Sequence, residues 1–384
     1  MAVYLIYLFL AGVQFWFADK KGYMDTAKGK DRYLMLCCAE LVAVAALRGI
    51  TVGADTRRYL EALEHYSKLP KKEVLFAKLV WPFDFEQGYF LLLKLCALIN
   101  MPQPVFLLLV ALVIYIPTFY TLYRYSKIPY ISILAYVALG FLAYSLDIVR
   151  QMMALSIVLC GLRFIERKQL GWYLLLVALA ATFHTTALIA VLLYFPANFS
   201  VKKYAKWIIP LELVCLFAGR PIGSLAAKLL PQYAHYFGGR FDVQGGTYLM
   251  IILLNVLLFA MLYLNHKGFT HNRVVIAALA LAVVVQAVGY SMALFGRVVT
   301  YFSFFAIFAF SEIAYVMLHK PELYGQVWGD ALTAKDWCIL QVKQCRISLK
   351  TVLWVIFIVG LWGLVLMGLI RNRTIMPYTF FFMK

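Results

Sequence analysis

Residues 104–123 read PVFLLLVALVIYIPTFYTLY, twenty residues without one charge. As a helix such a run rises about 30 Å, the thickness of the hydrocarbon core of a bilayer. Comparable runs recur at 1–18, 32–50, 129–146, 148–165, 204–220, 247–265, 274–290, 298–318 and 351–370. Their repetition predicts an all-α, polytopic transmembrane helical bundle of about 10–12 membrane segments. The expectation is a single integral membrane domain over residues 1–384.

Composition points the same way. Of 384 residues, 64% are apolar and 14% charged, where soluble domains run about 45–50% and about 25%. A single soluble core stops growing near about 250–300 residues, so this excess has no aqueous interior to hide in. A soluble enzyme, a disordered chain and a nucleic-acid-binding domain are excluded. The formal charge of +18 would suggest nucleic acid in a soluble chain. In a membrane chain it reads as basic loops on the cytoplasmic side, with an anionic lipid or phosphorylated substrate as the other reading. The seven cysteines are odd in number and form no CxxC, so they read as small hydrophobes rather than a disulfide or zinc framework. The N-terminal run lacks a basic leader and reads as a retained helix.

Two segments are unusual. Residues 88–100 are short, carry Lys94 and end in Asn100-Met101-Pro102. Residues 171–195 are long, with Phe183-His184-Thr185-Thr186 at the centre. Loop 19–32, with Lys20, Lys21, Lys28, Lys30 and Arg32, is expected on the cytoplasmic side, which puts 51–87 outside. Loops 124–128 and 163–170 are then cytoplasmic if 88–100 does not cross. This predicts an outer-face loop and interfacial helix at 51–103. If 171–195 crosses once, the basic loops 198–206 and 319–350 face outward. If it dips and returns, both stay cytoplasmic, as does 266–273. The dip fits the positive-inside rule better, and a polar break at membrane depth is tolerated where protein encloses it.

Polar residues cluster at a few places. Arg48-Gly49-Ile50-Thr51-Val52-Gly53-Ala54-Asp55-Thr56 leaves a helix end through two glycines, with Tyr59 after it. Glu86 and Tyr89 open the interfacial helix. Asp147 and Arg150, with Gln151 beside them, are spaced to share a helix face. His184 lies deep in apolar sequence, and Gly296-Arg297 precedes Tyr301 by one turn. Arg240-Phe241-Asp242 and Met376-Pro377-Tyr378 are weaker features. Ionisable residues at membrane depth are functional candidates by default. Arginine pairs well with phosphate through its planar fork, and Asp, Glu and His serve as acid or base. Each cluster also has a plain structural reading, as a cap, a solvated loop or a local ion pair. No P-loop, serine elbow, HExxH or metal-ligand spacing occurs.

The order and spacing of these pieces resembles the EpsG family, bacterial membrane proteins of exopolysaccharide and capsule clusters regarded as Wzy-type polymerases. The pieces are Arg48 to Thr56 with Tyr59, Glu86 to Tyr89, Asp147-Ile-Val-Arg150-Gln151 and Phe183-His184-Thr185. Gly296-Arg297, Tyr301 and Pro377-Tyr378 support the C-terminal half. The resemblance implies a multi-pass protein of the bacterial inner membrane, similar to the lipid-dependent GT-C glycosyltransferases. It implies polymerisation of undecaprenyl-diphosphate-linked oligosaccharide repeat units at the outer face, as for exopolysaccharide, capsule or O-antigen. The implied partners are that substrate, membrane lipid, a flippase and a chain-length regulator; composition argues against nucleic acid, the lack of a metal-ligand set predicts a metal-independent reaction, and no cofactor is expected. Arg48, Arg150 and Arg297 are expected on the diphosphate. Asp55, then His184, then Asp147 are the candidate proton acceptors. Thr51, Thr56, Tyr59, Glu86, Tyr89, Gln151 and Tyr301 are the candidate sugar and acceptor contacts. An O-antigen-ligase-like glycosyltransferase and a lipid-linked oligosaccharide transporter are the alternative readings.

Overall fold

The computed structural model describes residues 1–80, 83–229, 248–291, 293–319, 339–342 and 345–382. Arg240-Phe241-Asp242 and most of loop 319–350 lie outside the described residues. The described residues are mostly helical, and among them six helices are long and apolar enough to cross a membrane, or seven if one bent pair is a single span. Two compact units are present, each assembled from separate stretches of chain.

The first unit comprises residues 1–83, 92–149 and 310–384. It contains α1 (Ala2–Lys20), α2 (Ala27–Ala46), α3 (Thr56–Ser67), α4 (Lys71–Phe76) and most of α5 (Gln87–Leu98). Next come α6 (Gln103–Tyr125), α7 (Pro129–Ala138) and α8 (Phe141–Asp147). Helix α2 runs along α6. Helices α7 and α8 form one apolar segment bent by 59°, where the sequence predicts a single helix over 129–146. The turn between α6 and α7 is fastened to Ser311 by hydrogen bonds. Ser311 Oγ accepts from the Ile128 N–H at 2.7 Å and lies 3.0 Å from Ser126 Oγ. Helix α3 is amphipathic, burying Tyr59, Leu60, Leu63 and Tyr66 while Arg57 and Glu64 face outward.

The second unit comprises residues 84–91 and 150–309. Helix α9 (Val149–Cys160) breaks at Gly161 before α10 (Leu162–Glu166), where the sequence predicts one helix over 148–165. Then follow α11 (Leu170–Phe183), a 3-10 turn at Thr185–Ala190, α12 (Val191–Asn198) and α13 (Val201–Leu229). Helix α14 (Tyr248–His266) precedes α15 (Arg273–Ser291), which is buried nearly all round by α12, α13, α14 and α16 (Ala293–Val298). A helix apolar on every face except for Arg273 at its start, Gln286 and Ser291 belongs in such a position. Helix α17 (Thr300–Ser303) leads into α18 (Ala306–His319), most of which, from Phe310 onward, belongs to the first unit. There the chain continues through a two-stranded hairpin, Ile339–Val342 with Cys345–Ser348, into α19 (Leu349–Arg371).

Segment 171–195 folds back on itself. His184 leaves the helical region at φ −157°, ψ 116°. Tyr173 then stacks on Tyr194 with ring centroids 6.0 Å apart, and its hydroxyl donates to the Ala190 carbonyl at 2.7 Å. In a continuous helix those two tyrosines would stand about 30 Å apart. Residues 170–198 therefore form a helical hairpin with His184 at its tip.

Candidate active site

In the first unit the chain leaves α2 at Leu47 and meets the C-terminal segment. Arg48 pairs with Phe380 in an isolated antiparallel bridge. The Gly49 N–H donates to the Thr379 carbonyl at 2.7 Å, and the Thr51 and Thr379 hydroxyls lie 2.9 Å apart. The Gly53 N–H donates to the Thr374 carbonyl at 2.9 Å. Gly53 sits at φ +91°, and a Cβ there would lie 2.0 Å from the Leu146 carbonyl oxygen. Only glycine fits that conformation and that approach. The following Ala54 N–H donates to Asp147 Oδ1, while the Thr374 hydroxyl donates to Asp147 Oδ2 at 3.3 Å. Asp147 thus ties the end of α8 to both the loop and the C-terminal strap.

Arg48 is 1% exposed. Its guanidinium donates to the Ala45 carbonyl at 2.8 Å and reaches Thr56 Oγ1 at 3.4 Å. Thr56 in turn donates to the Val52 carbonyl at 2.7 Å. Asp55 stands at the N-cap of α3 but caps nothing with its side chain. Its carboxylate instead accepts the Tyr59 hydroxyl at 3.1 Å and stays half-buried.

The second unit gathers a different set. Glu86 opens α5, and its carboxylate divides between a guanidinium and an imidazole. Oε2 accepts from Arg150 at the start of α9, and Oε1 lies 2.7 Å from Nδ1 of His184. The Arg150 guanidinium also lies over the Phe85 ring, 5.2 Å from its centroid, a cation–π contact. Phe85 in turn packs edge-on against buried Tyr89. Gly88 lets this turn approach the hairpin, since a Cβ there would lie 2.2 Å from Thr182 Oγ1. Next to Arg150, the Gln151 amide donates to the Arg297 carbonyl at 2.6 Å. Tyr301 and Thr186 hydroxyls lie 3.3 Å apart. Arg297 itself is exposed.

Glu86, Arg150 and His184 are each partly buried. Burial pushes the Glu86 carboxyl up. The hydrogen bond to His184 and the charges of Arg150 and His184 outweigh it, and the group is held below the usual carboxylate range. An ionised carboxylate only accepts hydrogen bonds, so Nδ1 of His184 donates to Glu86 and Nε2 is the ring nitrogen left for chemistry. That is the arrangement of a base oriented by an acid.

Of the sequence candidates, Glu86, Tyr89, Arg150, Gln151, His184, Arg297 and Tyr301 fall in the second unit, and Arg48, Thr51, Asp55, Thr56, Tyr59 and Asp147 in the first. The three-residue spacing of Asp147 and Arg150 does not place them on one helix face. Ile148, at φ −100°, ψ 57°, interrupts the helix between them. Sequence reasoning missed Phe85, Thr374 and Thr379. Met376-Pro377-Tyr378 was the one signal near the latter two, and it falls between them. Among the described residues no three His, Cys, Asp or Glu side chains gather as metal ligands.

The sequence pattern of the EpsG family matches residues 31–322, well over half of the chain. No curated protein and no solved structure matches it.

Proposed function

The chain belongs to the EpsG family, and from that premise we propose that it polymerises oligosaccharide repeat units carried on undecaprenyl diphosphate at the outer face of the bacterial inner membrane. At the coarser level it is a multi-pass membrane protein of polysaccharide biosynthesis. The observation that carries the finer reading is the Glu86 carboxylate shared between Arg150 and His184. It sets a cation and a base side by side within the matched segment.

In the proposed reaction a hydroxyl of the acceptor sugar attacks the anomeric carbon of the donor glycan. The new C–O bond forms as the bond from that carbon to the carrier diphosphate breaks, and the diphosphate leaves with the electron pair. The hydroxyl proton passes to Nε2 of His184. Glu86 holds the ring's tautomer and stabilises the imidazolium that results. Arg150 and Arg297 stabilise the negative charge gathering on the diphosphate. Imidazole, whose ordinary titration lies near neutrality, suits this role. The geometry therefore favours His184 over Asp55, whose carboxylate holds the Tyr59 hydroxyl, and over Asp147, whose two oxygens fasten the loop and strap. Gln151 and Tyr301 are the proposed sugar contacts beside this cluster. Thr51, Thr56 and Tyr59 shape the glycine loop. The proposed chemistry draws on side chains alone.

Deletion of the gene followed by sizing of the surface glycan tests the reading. Single repeat units without longer chains are the expected result. Long chains retained on the lipid carrier would identify a ligase instead, and repeat units trapped in the cytoplasm a transporter.

A further inference from the structure

A cavity of about 600 Å³ opens in the first unit between the end of α1 and the start of α2, within the usual range of small-molecule sites. One part of its wall is apolar, from Val13, Phe17, Ala18 and Leu36. The other carries Lys21, Lys28 and Arg32, with no Asp or Glu in the lining. None of the three cations has an ion-pair partner among the described residues. The depth of the cavity in the bilayer is marked by Trp16, which stands beside it with Lys20 Nζ 5.1 Å from its ring centroid. Tryptophan with a basic residue at the end of a spanning helix belongs at headgroup level.

We propose that this cavity binds one anionic phospholipid of the surrounding leaflet, an acyl chain lying against Val13, Phe17, Ala18 and Leu36 and the headgroup phosphate against Lys21, Lys28 and Arg32. An apolar wall beside three cations that make no ion pair among the described residues is complementary to an amphiphile with a negative head. A soluble anion leaves the apolar wall empty, and a zwitterionic lipid leaves the cations uncompensated. The proposal is independent of the Glu86 cluster and stands whichever glycan the protein handles.

The test uses the purified full-length protein, stripped of lipid in neutral detergent and titrated with phosphatidylglycerol, phosphatidylcholine or inorganic phosphate. Thermal stability and retained mass in native mass spectrometry are the readouts. Phosphatidylglycerol is expected to raise Tm and remain bound one to one, and the other two to do neither. Each Lys or Arg near a membrane surface contributes about five-fold to attraction for anionic lipid. Arg32→Gln should weaken the apparent affinity about five-fold, and Lys21→Gln, Lys28→Gln and Arg32→Gln together about a hundred-fold. Ala18→Trp keeps every charge but fills the cavity and should abolish the effect. Equal stabilisation by phosphatidylcholine, stabilisation by phosphate alone, unchanged affinity in Arg32→Gln or Ala18→Trp, or preference for undecaprenyl phosphate over phosphatidylglycerol would overturn the proposal.

Discussion

At the scale of single residues, Glu86 is the hinge of the proposed chemistry, because one carboxylate serves both Arg150 and His184. Glu86→Gln keeps the shape but offers only one acceptor oxygen and no charge, so the imidazole loses its fixed tautomer and Arg150 its partner. The expected loss of polymer is about a hundred-fold or more, the scale of general acid–base assistance, with normal protein level in the membrane. Arg150→Lys keeps the charge but loses the planar fork that faces Glu86 and covers Phe85. It should lose polymer as well, which glycan sizing reads directly. The depressed titration of Glu86 also has a sign for stability. A carboxyl held below its ordinary value of 4.5 contributes stability in full above that value and loses it as pH falls through the depressed one. Thermal unfolding across acidic pH should show the wild type losing stability there and Glu86→Gln lacking that component. An identical acid slope in the two proteins would place the stabilising charge elsewhere. Each of the three is a candidate in the sequence, Glu86 as the opening of the interfacial helix, Arg150 as the neighbour of Asp147 and His184 as a histidine deep in apolar sequence. Their meeting is not legible there, since Arg150 and His184 lie 64 and 98 residues from Glu86 and no periodicity links such distant positions.

At the scale of elements, the hairpin at 170–198 and the C-terminal strap carry the account. The hairpin returns to the level from which it started, as the stacked Tyr173 and Tyr194 require. Arg167→Cys and Lys202→Cys, each on a Cys-less background, should therefore react with a membrane-impermeant reagent from the same side. Labelling from opposite sides would mean that the segment crosses. The sequence already contained this alternative, because the basic loops on both flanks pulled toward one side. What it lacked was the register of the return, set by the tyrosine pair. The strap, residues 373–381, lies beyond the family match, yet it supplies Thr374 to Asp147 and Thr379 to the glycine loop. Truncation after Asn372 should lower Tm and expose loop 48–58 to protease before any other segment. Protection equal to wild type would show that the loop holds itself. Hydropathy ends its message with α19, and a strap joined by backbone and hydroxyl hydrogen bonds leaves no periodic trace.

At the scale of the whole molecule, composition alone was enough for the fold class, because an excess of apolar residues on this length has only lipid to face. The number and straightness of the segments were less legible. The runs 129–146 and 148–165 read as uninterrupted helices, whereas the chain bends by 59° in the first and breaks at Gly161 in the second. Hydropathy counts apolar residues and is blind to a turn made within them. The central claim is that His184, held by Glu86, takes the proton in a glycosyl transfer. Its most direct test is reconstitution of the purified protein in liposomes with lipid-linked repeat units, followed by sizing of the product. Wild type should yield a ladder of chain lengths and Asp55→Asn should retain it. His184→Ala should bind the substrate and return it as single units. Normal ladders from His184→Ala, with none from Asp55→Asn, would contradict the claim and move the proton acceptor to Asp55.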